Sequence, residues 1–157
     1  MQRYLNGGRP IPRDRIEREV LPRFLEYHRR DPNVGFFAAV ERSTGRFVGW
    51  FHLRPSEDSP PGETELGYRL RRDAWGKGYA TEGSRALVRK AFDGPGWQRV
   101  TAWTMSVNTR SRSVMEKTGL RLVKTVYKPW PDPIEGSEQG DVEYAIDRAE
   151  WDSLERG

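Results

Sequence analysis

Between Leu66 and Glu82 a strand-like pattern runs into Trp75-Gly76-Lys77-Gly78-Tyr79-Ala80-Thr81-Glu82, two glycines two residues apart with small Ala80 next in the alternation. Such a turn lets backbone approach a ligand closely. The helix that follows aims its unpaired N–H groups and the positive end of its dipole at the same point. The chemistry this favours is the holding of a diphosphate by donors already fixed in place. The turn departs from two nucleotide-binding patterns. It lacks the four residues that a P-loop places between its glycine and a final Gly-Lys-Ser/Thr. It also lacks a third glycine at dinucleotide spacing, and no strand with a terminal acid follows. A tight strand-to-helix turn with no ligand is the competing reading, in which Trp75 and Tyr79 are packing residues.

Two further groups carry chemistry. Glu63 and Glu65 lie on the strand leading to the turn, and period-two alternation puts them on one face. Carboxylates there would bind a cationic amine and accept its proton; solvent-facing strand residues are the alternative. One strand later comes Asn108-Thr109-Arg110-Ser111-Arg112-Ser113-Val114-Met115-Glu116-Lys117-Thr118-Gly119-Leu120, with Asn108 suited to an N-cap and Gly119 to the C′ position of a short helix. His28 and His52 are isolated, without metal-ligand spacing, and read as structural.

The elements that must position these groups are legible. Ile16, Val20, Phe24 and Tyr27 recur at near-helical spacing over residues 13–30, and Pro22 within them should kink that helix or start a second one. Phe36–Val40 and Phe47–Leu53, joined by Ser43-Thr44-Gly45, read as a β-hairpin, and Thr64–Leu70 as the third strand. Thr81–Phe92 is a helix with Ala80, Ser84, Leu87 and Ala91 on one stripe, stopped by Gly94-Pro95-Gly96. Arg99–Val107 is a fourth strand, Leu120–Tyr127 a fifth and Val142–Ile146 a sixth, with an irregular loop over Pro129–Gly140 and a terminal helical turn at Arg148–Leu154. The order predicts one domain over residues 1–157, an α/β (α+β) sandwich with a mixed sheet and helices packed on it.

Composition narrows the classes. No run approaches the ~18 apolar residues of a membrane-spanning helix, and Met1–Gly8 lacks the apolar stretch of a signal peptide. The chain has no cysteine, which excludes disulfides, thiolate metal sites and a cysteine nucleophile; a cytoplasmic location is the default expectation. A net charge of +4 with scattered arginines, in small groups at 69–72 and 110–112, supports nucleic-acid binding only weakly.

In these two motifs the chain resembles the GCN5-related N-acetyltransferases, and specifically their ribosomal-protein and small-amine acetyltransferase branch. Trp75–Glu82 resembles the family's phosphate-binding turn, and Asn108, Ser111, Glu116-Lys117 and Gly119 resemble its second cofactor motif. The resemblance implies a mostly antiparallel mixed sheet whose third and fourth strands splay apart to admit the pantetheine arm of acetyl-CoA. It implies that the backbone at Leu70, Arg71 and Arg72 meets the pantetheine, and that Gly76, Lys77, Gly78, Tyr79, Ala80 and Thr81 cradle the pyrophosphate. Asn108 and Ser111 would close the cofactor site from the far side, with Lys77 and nearby arginines near the 3′-phosphate. No metal is implied.

The resemblance further implies acetyl transfer to a primary amine: a protein or peptide N-terminus, an aminoglycoside-like compound or a polyamine. With no cysteine to carry the acyl group, attack is direct, in a ternary complex. Glu65 is the expected base, where several family members place a glutamate, and backbone N–H groups near Tyr68–Leu70 would meet developing oxyanion charge. Many members carry a tyrosine acid seven residues after the asparagine; here that residue is Met115, leaving Ser111 or water to donate a proton. Relatives also carry about 30 residues, a strand and a helix, ahead of the point matching Met1, with Tyr4–Pro10 resembling the middle of that region. Without such a strand, Phe36–Val40 is an open apolar edge that calls for cover by upstream residues or a partner chain such as a second copy. Two rival readings stand beside this one. A coenzyme-binding regulatory module without catalysis differs by releasing no thiol on any amine, and a small nucleic-acid-binding domain by steep salt dependence.

Overall fold

The computed structural model describes residues 9–94 and 96–157. The expected readings of Tyr4–Gly8 and of Pro95 lie outside the described residues. A first helical turn, Arg13–Arg15, passes through a π-helical segment, Ile16–Val20, into helix α1, Leu21–Arg30. Pro22 does not start a separate helix: Val20 and Leu21 keep αR backbone, the helical path runs on, and the widened π segment directly before it accommodates the missing N–H. Phe24 of α1 stacks on Phe36, with ring centroids 3.4 Å apart.

Six strands form one sheet in the order β1-β2-β3-β4-β6-β5. They span Gly35–Val40 (β1), Phe47–Arg54 (β2), Glu63–Leu70 (β3), Arg99–Met105 (β4), Arg121–Val126 (β5) and Asp141–Asp147 (β6). Every neighbouring pair is antiparallel except β3 and β4. The β1–β2 hairpin closes as expected at Gly45, whose N–H donates to Glu41 O. Among the described residues β1 pairs with β2 alone, so it stands at the sheet's edge with Val40 exposed.

Helices α2 (Tyr79–Asp93), α3 (Thr109–Thr118) and α4 (Arg148–Arg156) cover one face. Leu53, Leu66, Val88, Phe92, Val100, Tyr144 and Trp151 meet in the core beneath them. The C-terminal element exceeds the expected single turn. Asp147 N–H donates to the carboxylate of Glu150 at 2.8 Å, which fixes the first turn of α4.

Arg148 closes the far end of α2. Its guanidinium donates to the carbonyls of Phe92, Gly94 and Trp97 at 2.5–3.1 Å, supplying partners that a helix C-terminus otherwise lacks. Arg148→Met should leave those acceptors without donors and cost about 2–3 kcal/mol. In thermal denaturation that is a drop of roughly 5–10 °C for a domain of this size.

Candidate active site

Strands β3 and β4 pair only over Glu63↔Arg99, Thr64↔Val100 and Glu65↔Thr101. Beyond that point β3 runs on to Leu70 and β4 to Met105 without pairing with each other, so a wedge opens between them. Arg71 N–H donates to Val48 O at 2.8 Å. By the alternation of an antiparallel ladder, the N–H groups of Tyr68 and Leu70 therefore point away from β2, into the wedge. Two expectations narrow here. The Arg71 N–H is spent on the sheet, which extends one residue past β3, and the Leu70 carbonyl accepts from Trp75 Nε1 at 3.1 Å. Arg72 opens a 3₁₀ turn, and its carbonyl accepts from Trp75 N–H.

The wedge leads to the glycine turn. Gly76 and Gly78 have φ of +73° and +81°, and a Cβ at either would meet open space. Gly78 precedes α2 with no side-chain cap, and the first bond into the helix runs from Glu82 N–H to Gly78 O. The N–H groups of Tyr79, Ala80 and Thr81 thus face outward without an acceptor among the described residues. The side chains take different partners. Tyr79 donates its hydroxyl to Glu41 at 2.5 Å, and Lys77 lies 3.9 Å from the same carboxylate. A groove beside the turn is lined by Gly78, Thr81, Arg85, Arg89 and Lys117. Arg85 and Arg89 escaped the sequence reading, although they follow Thr81 at intervals of four residues and so extend its helical row.

Across the wedge, Asn108 caps α3. Its Oδ1 accepts from Ser111 N–H at 3.3 Å and its Nδ2 donates to Thr104 Oγ1 at 3.0 Å. One Nδ2–H remains for a ligand. Gly119 ends the helix at φ +101°, as its expected C′ role requires. Trp75 stands at the mouth, with the guanidinium of Arg110 5.3 Å from its ring centre.

On the face opposite α2, the register sets Phe36, His52 and Gly67 in one row and Arg54 opposite Glu65 in the next. Gly67 decides the geometry: a Cβ there would stand 2.2 Å from His52 Cε1, so the ring lies across the space a side chain would fill. His52 Nε2 thereby comes 3.3 Å from Glu65 Oε1. His52 is therefore not isolated, as the sequence spacing suggested, but partnered by Glu65. Nothing in the sequence marks the pair, because it depends on register and on a missing side chain. Glu63 goes elsewhere, to Arg99 at 3.5 Å, so the two glutamates share a face but not a site.

Burial pushes the His52 imidazole below its ordinary value, against the pull of Glu65, so the ring is neutral near pH 7 and donates Nε2–H. Burial is the strongest influence and would raise the Glu65 carboxyl, but the hydrogen bond from His52 together with the electrostatic pull of His52 and Arg54 outweighs it and holds the group below its usual value. Both values fall on folding, so the associated stability is present above the unfolded values and disappears as the pH falls through the folded ones. Thermal midpoints should decline as the pH drops below about 6.5, the unperturbed imidazole value, and His52→Gln should flatten the first part of that decline.

The arrangement joins an uncapped glycine turn, a wedge lined by backbone donors and the His52–Glu65 pair on the opposite face. The sequence pattern of the acetyltransferase (GNAT) domain matches residues 1–121. The chain belongs to this family. A GNAT relative, the FsC-acetyl coenzyme A-N(2)-transacetylase of Aspergillus fumigatus, is 41% identical over 123 residues, covering 74% of this chain and 52% of its own. The chain spans about half the length of the curated relatives it matches. Among solved GNAT structures, the spermidine N-acetyltransferase of Vibrio cholerae in complex with CoA and spermine superposes with a TM-score of 0.75 at 15% identity, covering 96% of this chain and 83% of that one. An aminoglycoside acetyltransferase in complex with coenzyme A and kanamycin gives 0.73 at 20% identity, covering 98% and 86%. At these identities the two structures attest the GNAT fold.

Proposed function

We propose that the chain is an acetyl-CoA-dependent N-acetyltransferase of the ribosomal-protein and small-amine type, acting on a primary amine by direct attack in a ternary complex. The observation that carries this is the divergence of β3 from β4 after three paired residues, directly before an uncapped glycine turn. The residues present suit coenzyme A. The unpartnered N–H groups of Tyr79, Ala80 and Thr81 suit a diphosphate, and the outward N–H groups of Tyr68 and Leu70 suit an extended amide-bearing arm. Arg85 and Lys117 beside the turn add positive charge for a further phosphate. When bound, acetyl-CoA supplies an activated acyl group.

The chain's own work is to hold, orient and move a proton. Glu65 attracts the ammonium of the acceptor, and the Glu65–His52 pair takes its proton, so that the amine attacks neutral. Glu65 is the acceptor of the two, since His52 Nε2–H is already spent on it and His52 Nδ1 is buried. The N–H groups of Tyr68 and Leu70 face the wedge, where oxyanion charge would develop. Around the pair, Phe24, Phe36 and Trp50 form an aromatic wall. Arg69 lies 5.3 Å from the Trp50 ring centre, and Arg54 keeps a buried Nε with no partner.

These two guanidiniums favour an acceptor amine that also carries an anionic or oxygen-rich group over a polyamine. Thiol release from acetyl-CoA against peptide N-termini, an aminoglycoside, an amino acid and spermidine tests the reading, with spermidine expected to be poor. Coenzyme binding without thiol release on any amine would instead identify a regulatory module of the same fold.

A further inference from the structure

The site has a proton acceptor on one face but no evident donor for the sulfur that leaves on the other. Met115 is buried in the core and cannot donate a proton. Tyr68 offers one. It lies three residues past Glu65, the last β3 residue paired with β4, and its side chain takes the opposite face, in a row with Phe37 and Phe51. Its hydroxyl donates to Ser111 Oγ at 3.5 Å, a long bond that a better acceptor would displace. Ser111 N–H donates to Asn108 Oδ1 and Asn108 Nδ2 to Thr104 Oγ1, completing a chain from the unpaired half of β3 to that of β4. The phenol thus reaches from the unpaired half of β3 to α3 on the helix-covered face, with Glu65 on the sheet's other face.

Resting on the acetyltransferase reading, we infer that Tyr68 is the catalytic acid: its O–H protonates the sulfur as the carbon–sulfur bond breaks. The nitrogen–carbon bond forms, the electron pair of the broken bond goes to sulfur, and sulfur takes the phenolic proton. The phenolate then recovers a proton from solvent, while the proton from the amine goes to Glu65. The groups facing Tyr68 are apolar Phe51 on β2 and neutral Ser111 on α3; burial raises the phenol above its ordinary value and only the Ser111 bond opposes it. The phenol therefore stays protonated over the working range.

Two readouts test this. The first is the titration of the coenzyme A thiol bound to the wild-type protein, followed by thiolate absorbance. A donor at the sulfur should lower the thiol pKa below that of free coenzyme A, and Tyr68→Phe should return it to the free value. The second is kinetic. Tyr68→Phe keeps the ring on Phe51 and should lower kcat roughly 10²-fold with little change in the KM for acetyl-CoA and loss of the alkaline limb of the pH profile, a larger fall than in Ser111→Ala, which keeps the acid. A wild-type thiol titrating at its free value overturns the inference, even if Tyr68→Phe fails to fold. So does a rate lost in Ser111→Ala and kept in Tyr68→Phe. If coenzyme A binds but no amine is acetylated, the acetyltransferase reading fails, and the thiol titration still decides the place of Tyr68.

Discussion

Glu65→Gln should reduce acetyl transfer by 10²- to 10⁴-fold, the usual range for removing a positioned acid or base, while coenzyme binding stays within about two-fold. The substitution keeps the side chain's volume and its ability to accept from His52, so the 3.3 Å contact and the packing over Gly67 survive. What disappears is the negative charge that would draw in an ammonium and accept its proton. The acetyl acceptor's KM should therefore rise along with the fall in kcat. His52→Gln separates these two effects. It keeps the charge at Glu65 but removes the imidazole, so kcat should fall with a smaller change in acceptor KM, and the acid limb of the pH–rate profile should move. Wild-type kcat in Glu65→Gln at neutral pH would remove the pair from the reaction.

Gly78→Asp should abolish coenzyme binding and leave a folded protein. The two consequences separate because of what surrounds the glycine. A Cβ there meets nothing within 4 Å, so the cost to the fold is the left-handed backbone at φ +81°, on the order of 1–2 kcal/mol. An aspartate just before a helix also accepts from the free N–H groups of the first turn, which offsets part of that cost. The same carboxylate occupies and charges the cradle formed by Tyr79, Ala80 and Thr81, where a diphosphate would lie. Gly78→Ala is the matched control, with the backbone strain but no charge, and should lose much less affinity. Equal loss in both variants would make the turn's shape, not its anion-binding donors, the important property.

The groups that were legible in the sequence are those set by local chain chemistry. Glycines at the turn, Asn108 at the start of α3 and Gly119 at its end each follow from the backbone conformation or the unpaired groups of a helix terminus. The wedge between β3 and β4 came through resemblance, and the register bears it out. What the sequence hides depends on register across strands. Glu65 meets His52 only because Gly67 vacates the space between them, and period-two alternation on one strand reports nothing of a neighbour thirteen residues away. Arg71 illustrates the converse: the resemblance assigns its backbone to a ligand, whereas one more rung of the β2–β3 ladder claims its N–H. Tyr68 is hidden in the same way, since its reach to Ser111 crosses two elements and 43 positions.

The central claim is that the wedge and glycine turn bind coenzyme A, and a thermal shift tests it most directly. With acetyl-CoA at about 100 times its dissociation constant the fold should gain about 2.7 kcal/mol, a rise of roughly 5–10 °C, with smaller shifts from ATP and from NAD at equal concentration. A chain equally unmoved by all three, or stabilised more by ATP or NAD than by acetyl-CoA, would contradict it.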